Sequence, residues 1–177
     1  PNFRRIAQDL KLYLDLGIEA MFCEGSAVPG GQFEGLRQYL QAQLLWNPDV
    51  DAWSIMEAWT AGVYGARAGG YIMDYPKLLE DHVQKNDVHV LSFGGGQEVQ
   101  PQIFTPEILK KGQELWDKAE RAADEPLRNR IFAARAPEMC SRLFHPGLKY
   151  AIKGNLLKSQ PAPDKKLRDR FVRAALQ

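Results

Sequence analysis

Between Leu16 and Asp51 the chain reads helix end, short apolar run, loop, helix, and this stretch limits the fold more than any other. The run from Leu16 to Phe22 enters through Gly17 and is followed by Cys23, Glu24 and Gly25. A glycine after a helix permits the left-handed turn that stops it. The run is too short for a buried helix and suits a strand covered on both faces. A carboxylate at the carboxyl end of such a strand stands where α/β folds place ligand chemistry. One strand cannot make a sheet, because its two edges leave backbone groups unpaired. The expectation is that this chain is the tail of something larger, or that it self-associates through the lone strand.

The rest of the chain reads as helices. Phe3, Ile6, Ala7, Leu10 and Leu14 recur at helical spacing, so residues 2–16 are expected to form an amphipathic helix. Residues 25–32 form a loop rich in turn formers, and a helix from about 32 to 46 carries Phe33, Leu36, Leu40 and Leu44. It closes at Asn47-Pro48, since proline disfavours helix in the residue before it. Asp49 or Asp51 can cap the next helix, whose stripe is Ala52, Ile55, Met56, Trp59 and Val63. A further helix, starting at about 66 or 71, ends near 85 and contains Pro76, which predicts a kink or restart. Residues 86–104 read as a long loop. Thr105-Pro106-Glu107 opens a helix to about 122, with threonine as cap and proline in the first turn. Asp124 is expected to cap a helix from 125 to about 144. Residues 148–157 read as helical, 158–163 as a linker, and 164–177 as a last amphipathic helix.

The expected fold class is therefore mainly α: a last strand–helix unit of a (β/α)8 barrel, then a bundle-like helical appendage. The expected domains are 1–48, the end of the barrel-like part; 49–157, helical; 158–163, a linker; and 164–177, a terminal helix.

A net charge of +1 gives no broad attraction to nucleic acid or anionic lipid. No stretch is apolar for long enough to span a membrane. Cys23 and Cys140 form no metal or redox motif and read as free thiols. His82, His89 and His145 are scattered, so no metal and no cofactor are expected. The glycines at 30–31 and 94–96 lack the context of a phosphate loop. Trp53, Trp59 and Trp116 fall within helices and Trp46 ends one, so these rings read as core before ligand platform. The basic residues Lys165, Lys166, Arg168 and Arg170 read as a solvated helix face. Glu24 is the best single candidate for chemistry. A catalytic carboxylate needs a partner about 5 to 9 Å away, and neither Glu19 nor Glu34 makes a convincing pair. Glu24 therefore reads as a ligand-facing or hydrogen-bonded glutamate.

Several runs in order carry a resemblance. They are the helix Ile6 to Leu14, the segment Asp15 to Phe22, Leu36 to Leu40, and Leu44-Leu45-Trp46-Asn47-Pro48-Asp49-Val50-Asp51. Tyr64-Gly65, the stretch Tyr71 to His82, Phe104 to Glu107 and Leu115 to Glu120 follow. Together these resemble the carboxyl-terminal part of an uncharacterised bacterial glycoside-hydrolase-like TIM-barrel family, distantly related to hexosaminidases and α-glucuronidases. The resemblance implies a large secreted or periplasmic parent acting on polysaccharide or oligosaccharide. It implies that the catalytic carboxylates lie upstream, so this piece holds no catalytic residue and no complete site. Glu24, Ser26 and Gln32 would line one rim of a glycan site in the parent. The alternative is a free-standing, non-enzymatic helical protein-interaction module.

Overall fold

A computed structural model describes residues 2–23, 31–89, 101–143, 149–153, 156–160 and 164–177. Helix α1 spans Phe3–Asp15 and turns Phe3, Ile6 and Leu10 inward. Gly17 ends it at φ +75°. Its N–H donates to the Leu14 carbonyl and that of Ile18 to the Tyr13 carbonyl, the paired bonds of a Schellman turn.

The expected strand does not follow. Residues 18–23 have no regular secondary structure. Leu16 is 68% exposed and Phe22 88%, with Ile18 and Met21 exposed between them. A strand is held by a ladder to a neighbour, and among the described residues the ladder present joins 149–153 to 156–160. The last strand–helix unit of a barrel is thereby corrected. The chain is mainly α, as expected, but among the described residues no strand follows α1, where the lone strand of the expected self-association would be.

Helix α2 spans Glu34–Trp46 and buries Leu36, Leu40 and Leu44. It starts after Phe33, whose φ is +55°, and stops at Asn47 before Pro48. Helix α3 spans Ala52–Tyr64, and the Asp51 carboxylate accepts the Ser54 N–H at 2.7 Å as its cap. Helix α4 spans Ala66–Lys85 and runs through Pro76 without a break. Gly65, at φ +80°, makes the turn between α3 and α4. The two helices then pass so closely at Gly69 that a Cβ there would stand 2.6 Å from the Thr60 carbonyl oxygen.

Helix α5 spans Pro106–Ala122 behind the expected cap, Thr105, whose hydroxyl accepts the Ile108 N–H at 3.3 Å. The single helix expected over 125–144 is two: α6, Glu125–Ala134, and α7, Ala136–Leu143. Asp124 precedes α6 without a side-chain capping bond. The break falls at Arg135, two residues before Pro137. Proline has no N–H to continue the α6 ladder, and it suits the first turn of a new helix. Of residues 148–157, expected to be helical, 149–153 and 156–157 are strand, and the others lie outside the described residues. Strand β1, Lys149–Lys153, pairs antiparallel with β2, Leu156–Gln160, with Lys149 opposite Gln160 and Lys153 opposite Leu156. Gly154-Asn155 between them is a two-residue hairpin composition. Residues 158–160, read as the start of a linker, belong to β2. Helix α8 spans Lys165–Ala175, and Asp164 accepts the N–H groups of Lys166 and Leu167.

Two apolar clusters hold the helices together. One joins α1, α2 and α3 through residues such as Phe3, Leu10, Leu36, Leu40 and Met56. The other joins α4, α5 and α6 through Ile72, Tyr75, Leu79, Trp116 and Ile131. Phe33 and Trp59 pack against both. Between α5 and α7 a fully buried Arg135 meets Asp117 at 2.6 Å, Glu120 at 2.9 Å and Glu138 at 2.9 Å. Burial alone would lower the guanidinium's pKa, and these carboxylates more than offset it, holding it above its ordinary value.

Candidate functional site

Helix α1 begins against the flank of α4, and a buried carboxylate makes the junction. Glu80, on α4, is 3% exposed. Its Oε1 accepts the backbone N–H of Phe3 and, at 3.3 Å, that of Arg4. These are first-turn donors with no partner inside α1, and a negative charge suits a helix N-terminus. Asn2, which precedes α1, makes no side-chain cap of its own and accepts instead from Arg37 Nη1. The α4 carboxylate thus does the work of a local cap from 77 residues away in sequence.

Beside this junction lies a cleft of about 1060 Å³. Its walls are the start of α1 (Asn2, Arg4, Arg5), Gln32 in the turn before α2, and the end of α4 with Glu80, Val83 and Gln84. Asp87, Val88 and His89 follow from the segment after α4, and Ile103 and Phe104 from the approach to α5. The volume is at the upper end for small-molecule sites, and the mixed apolar and polar lining is of the usual kind.

Two polar atoms at this cleft have no hydrogen-bond partner among the described residues although both are buried: Gln32 Nε2 and Glu80 Oε2. Arg4 Nε stands 3.5 Å from Glu80 Oε2, an ion-pair distance without hydrogen-bond geometry. Arg4 gives its stronger contacts to Asp81 and Gln84, each at 2.8 Å. The Gln32 amide lies against the Tyr75 phenol. Burial raises the pKa of that phenol well above its ordinary value, and the amide only partly opposes the rise. An unpaired buried polar group costs about 1–3 kcal/mol, so two at one cavity mark a place where a ligand group or water would be held. Gln32 is an amide donor and Glu80 a carboxylate acceptor, and each can be met by a hydroxyl.

Of the residues expected to line a glycan rim, Gln32 is at this cleft; Glu24 and Ser26 lie outside the described residues. Glu80 and Arg4 were not anticipated. The sequence does carry a signal for Glu80: it falls among Ile72, Tyr75, Pro76 and Leu79 on the inward face of α4. A carboxylate on an apolar stripe must find a partner or a function.

The other groups singled out in the sequence have local roles. His82 Nε2 is 2.7 Å from the Gln102 carbonyl, and His89 pairs with Asp87 at 2.9 Å. His145 and the 94–96 glycine run lie outside the described residues. Cys23 and Cys140 are both free and half-buried, and burial raises the Cys140 thiol pKa. Trp116 is core, whereas Trp46 is 90% exposed. Arg4 and Lys77 lie over the Trp53 ring. Lys165, Lys166 and Arg168 are exposed, while Arg170 is half-buried against Glu120 and the Phe132 ring. Among the described residues, no group of three or more His, Cys, Asp or Glu side chains could hold a metal ion. Among them, too, no helix is long and apolar enough to cross a membrane.

Comparison with known proteins returns one finding. A family described as a domain of unknown function (DUF4838) matches residues 1–77. That span holds α1, α2, α3 and the first part of α4, and so Arg4 and Gln32 but not Glu80. No curated protein and no solved structure matches the chain.

Proposed function

We propose that this chain belongs to a carbohydrate-active, glycoside-hydrolase-like parent, and that it contributes one rim of a glycan-binding site without a complete catalytic site. The observation that carries this is two buried polar atoms at the cleft without a hydrogen-bond partner among the described residues, Gln32 Nε2 and Glu80 Oε2. A hydroxyl can accept from an amide or donate to a carboxylate, and sugars offer many hydroxyls on a rigid frame. Phe104, Val83, Val88 and Ile103 supply the apolar wall against which the C–H face of a sugar ring rests. Glu80 reads as a binding carboxylate and not a proton shuttle, because its other oxygen is taken up by the start of α1.

The test is a glycan array probed with the full chain and with Gln32→Ala. Selective binding that the substitution weakens supports the reading. An array without a bound glycan, from a protein that unfolds cooperatively, removes it.

A second reading, a helical protein-interaction module, is favoured by a different observation. Leu14, Leu16, Phe22, Leu45 and Trp46 are all exposed near the C-terminal ends of α1 and α2. Lys11, on α1, meets Asp49, just beyond α2, at 3.4 Å, so these two ends are neighbours. Large exposed apolar patches often mark contact surfaces. Loss of a partner's binding on Trp46→Glu, with sugar binding absent throughout, would decide for this reading.

A further inference from the structure

Among the described residues twelve large apolar side chains are exposed, and they fall in two places. Ten lie between Leu12 and Val50, along α1, α2 and the segments that follow them. The other two, Val172 and Leu176, stand one helical turn apart on α8 and at its end. The ion pair of Lys11 with Asp49 at 3.4 Å sets the two arms of the first group side by side, and Leu12 and Val50 are the residues next to that pair. Phe22 and Trp46, almost wholly exposed, present roughly 300–450 Å² between them. The largest apolar patch of an ordinary monomer is about 300–600 Å², and a stable interface covers about 800 Å² of each partner. The eight other side chains carry this surface from the first figure toward the second.

Charge identifies what fits it. The charged residues over 11–23 and 38–51 are Lys11 against Asp15, Glu19, Asp49 and Asp51, all exposed. Lys11 is held by Asp49, so the rim of the surface is acidic. Two such surfaces brought face to face would set like charges together. Helix α8 has the opposite character. Lys165, Lys166, Arg168 and Arg173 are exposed on the same short helix as Val172, and inside it the carboxylate is Asp169 alone. We propose that the acidic-rimmed apolar surface of α1 and α2 docks the basic α8 of a second copy of this chain. The two surfaces differ, so copies dock reciprocally as a closed pair or head to tail in a longer series. An amphipathic helix laid on an apolar surface is a common mode of recognition. The contact is made by helix ends and needs no strand edge. It rests on the interaction-module reading, for which it names the partner, and it is independent of the cleft.

The full chain is followed by sedimentation velocity over a concentration series, with circular dichroism to show that each variant is folded. The wild-type chain should form dimers or larger species as concentration rises. W46E and L176E should each stay monomeric, since one lacks the receiving surface and the other the docking helix. V172E should repeat the second result. All three positions are exposed, so the substitutions leave the core untouched. An equal mixture of W46E and L176E restores one contact per pair and should recover a 1:1 dimer. Raising the salt from about 0.05 M to about 0.5 M should weaken the association severalfold, because exposed charges are screened. A wild-type chain that is monomeric at about millimolar concentration, where a contact with Kd near 1 mM would show, overturns the self-association. It leaves the interaction-module reading to the Trp46→Glu experiment with a different partner. L176E and V172E that associate as the wild type does, while W46E does not, overturn the role of α8. Association indifferent to salt overturns the charge complementarity.

Discussion

Gly69 and Gly70 are adjacent on α4 and should respond in opposite directions to alanine. At Gly69 an added Cβ would stand 2.6 Å from the Thr60 carbonyl oxygen, 2.7 Å from its carbon and 2.9 Å from the Ala61 nitrogen. These are backbone atoms of α3, so no side chain can swing away. Thr60 is itself tied down, its hydroxyl donating to the Met56 carbonyl at 2.9 Å. Relief requires α3 and α4 to move apart, which disturbs the packing along their whole contact. Overpacking of this kind costs about 1–3 kcal/mol, and a backbone clash belongs at the upper end. Alanine in place of glycine inside a helix returns about 1 kcal/mol. Gly69→Ala should therefore lose about 2 kcal/mol. At Gly70 nothing lies within 4 Å of the added atom. Gly70→Ala should show only the helix-propensity gain of about 1 kcal/mol. The difference of about 3 kcal/mol corresponds to roughly 6–12 °C in Tm for a chain of this length. Urea unfolding followed by circular dichroism measures it, as a shifted midpoint at constant slope. If Gly69→Ala proves as stable as Gly70→Ala, the close crossing of α3 and α4 is wrong.

Arg135→Met should destabilise the chain by about 3 kcal/mol in the same urea assay, because Asp117 and Glu120 lose their shared guanidinium and buried Glu138 keeps only Arg142, at 2.7 Å; a loss no larger than that of a surface substitution would refute the buried hub. Asp51 tests the pH dependence. Its carboxyl lies below its ordinary pKa, first because it accepts the Ser54 N–H and then because it accepts the Ser54 hydroxyl. A carboxyl with a lower pKa in the folded state stabilises the fold above its unfolded pKa, and that contribution fades as pH falls through the folded value. Asp51→Asn keeps a capping oxygen that does not titrate, so the wild-type chain should lose its advantage over the variant as the pH is taken below the carboxylate range. Parallel thermal melts from neutral to acid pH check this, and a constant difference would refute it.

Most of the helices were legible in the sequence because their signals are local. The apolar spacing of Phe3, Ile6 and Leu10, the stop at Gly17, the Thr105-Pro106 opening and the Asp51 and Asp164 caps each act within a few residues. The failures are equally specific. The apolar run after Gly17 was read as a buried strand from its composition, yet composition says nothing of whether another strand is there to pair with it. Pro137 breaks the expected helix at Arg135, a signal hidden by the continuous apolar spacing of Leu127, Ile131 and Met139. Residues 148–157 carry a helical expectation although they contain Gly154-Asn155, a hairpin's two-residue turn composition. At the cleft, Gln32 was picked out by its place in a loop, whereas Glu80 passed as one more residue of a long helix.

What the chain by itself determines is where helices start, which face turns inward and where most of them end, since capping bonds and hydrophobic periodicity are satisfied within a turn or two of backbone. Which carboxylate closes the start of α1, which residues line the cleft, and how closely α3 crosses α4 depend on groups brought together from distant positions. Those pairings are decided by how the apolar stripes of several helices pack at once, and no single helix carries that information.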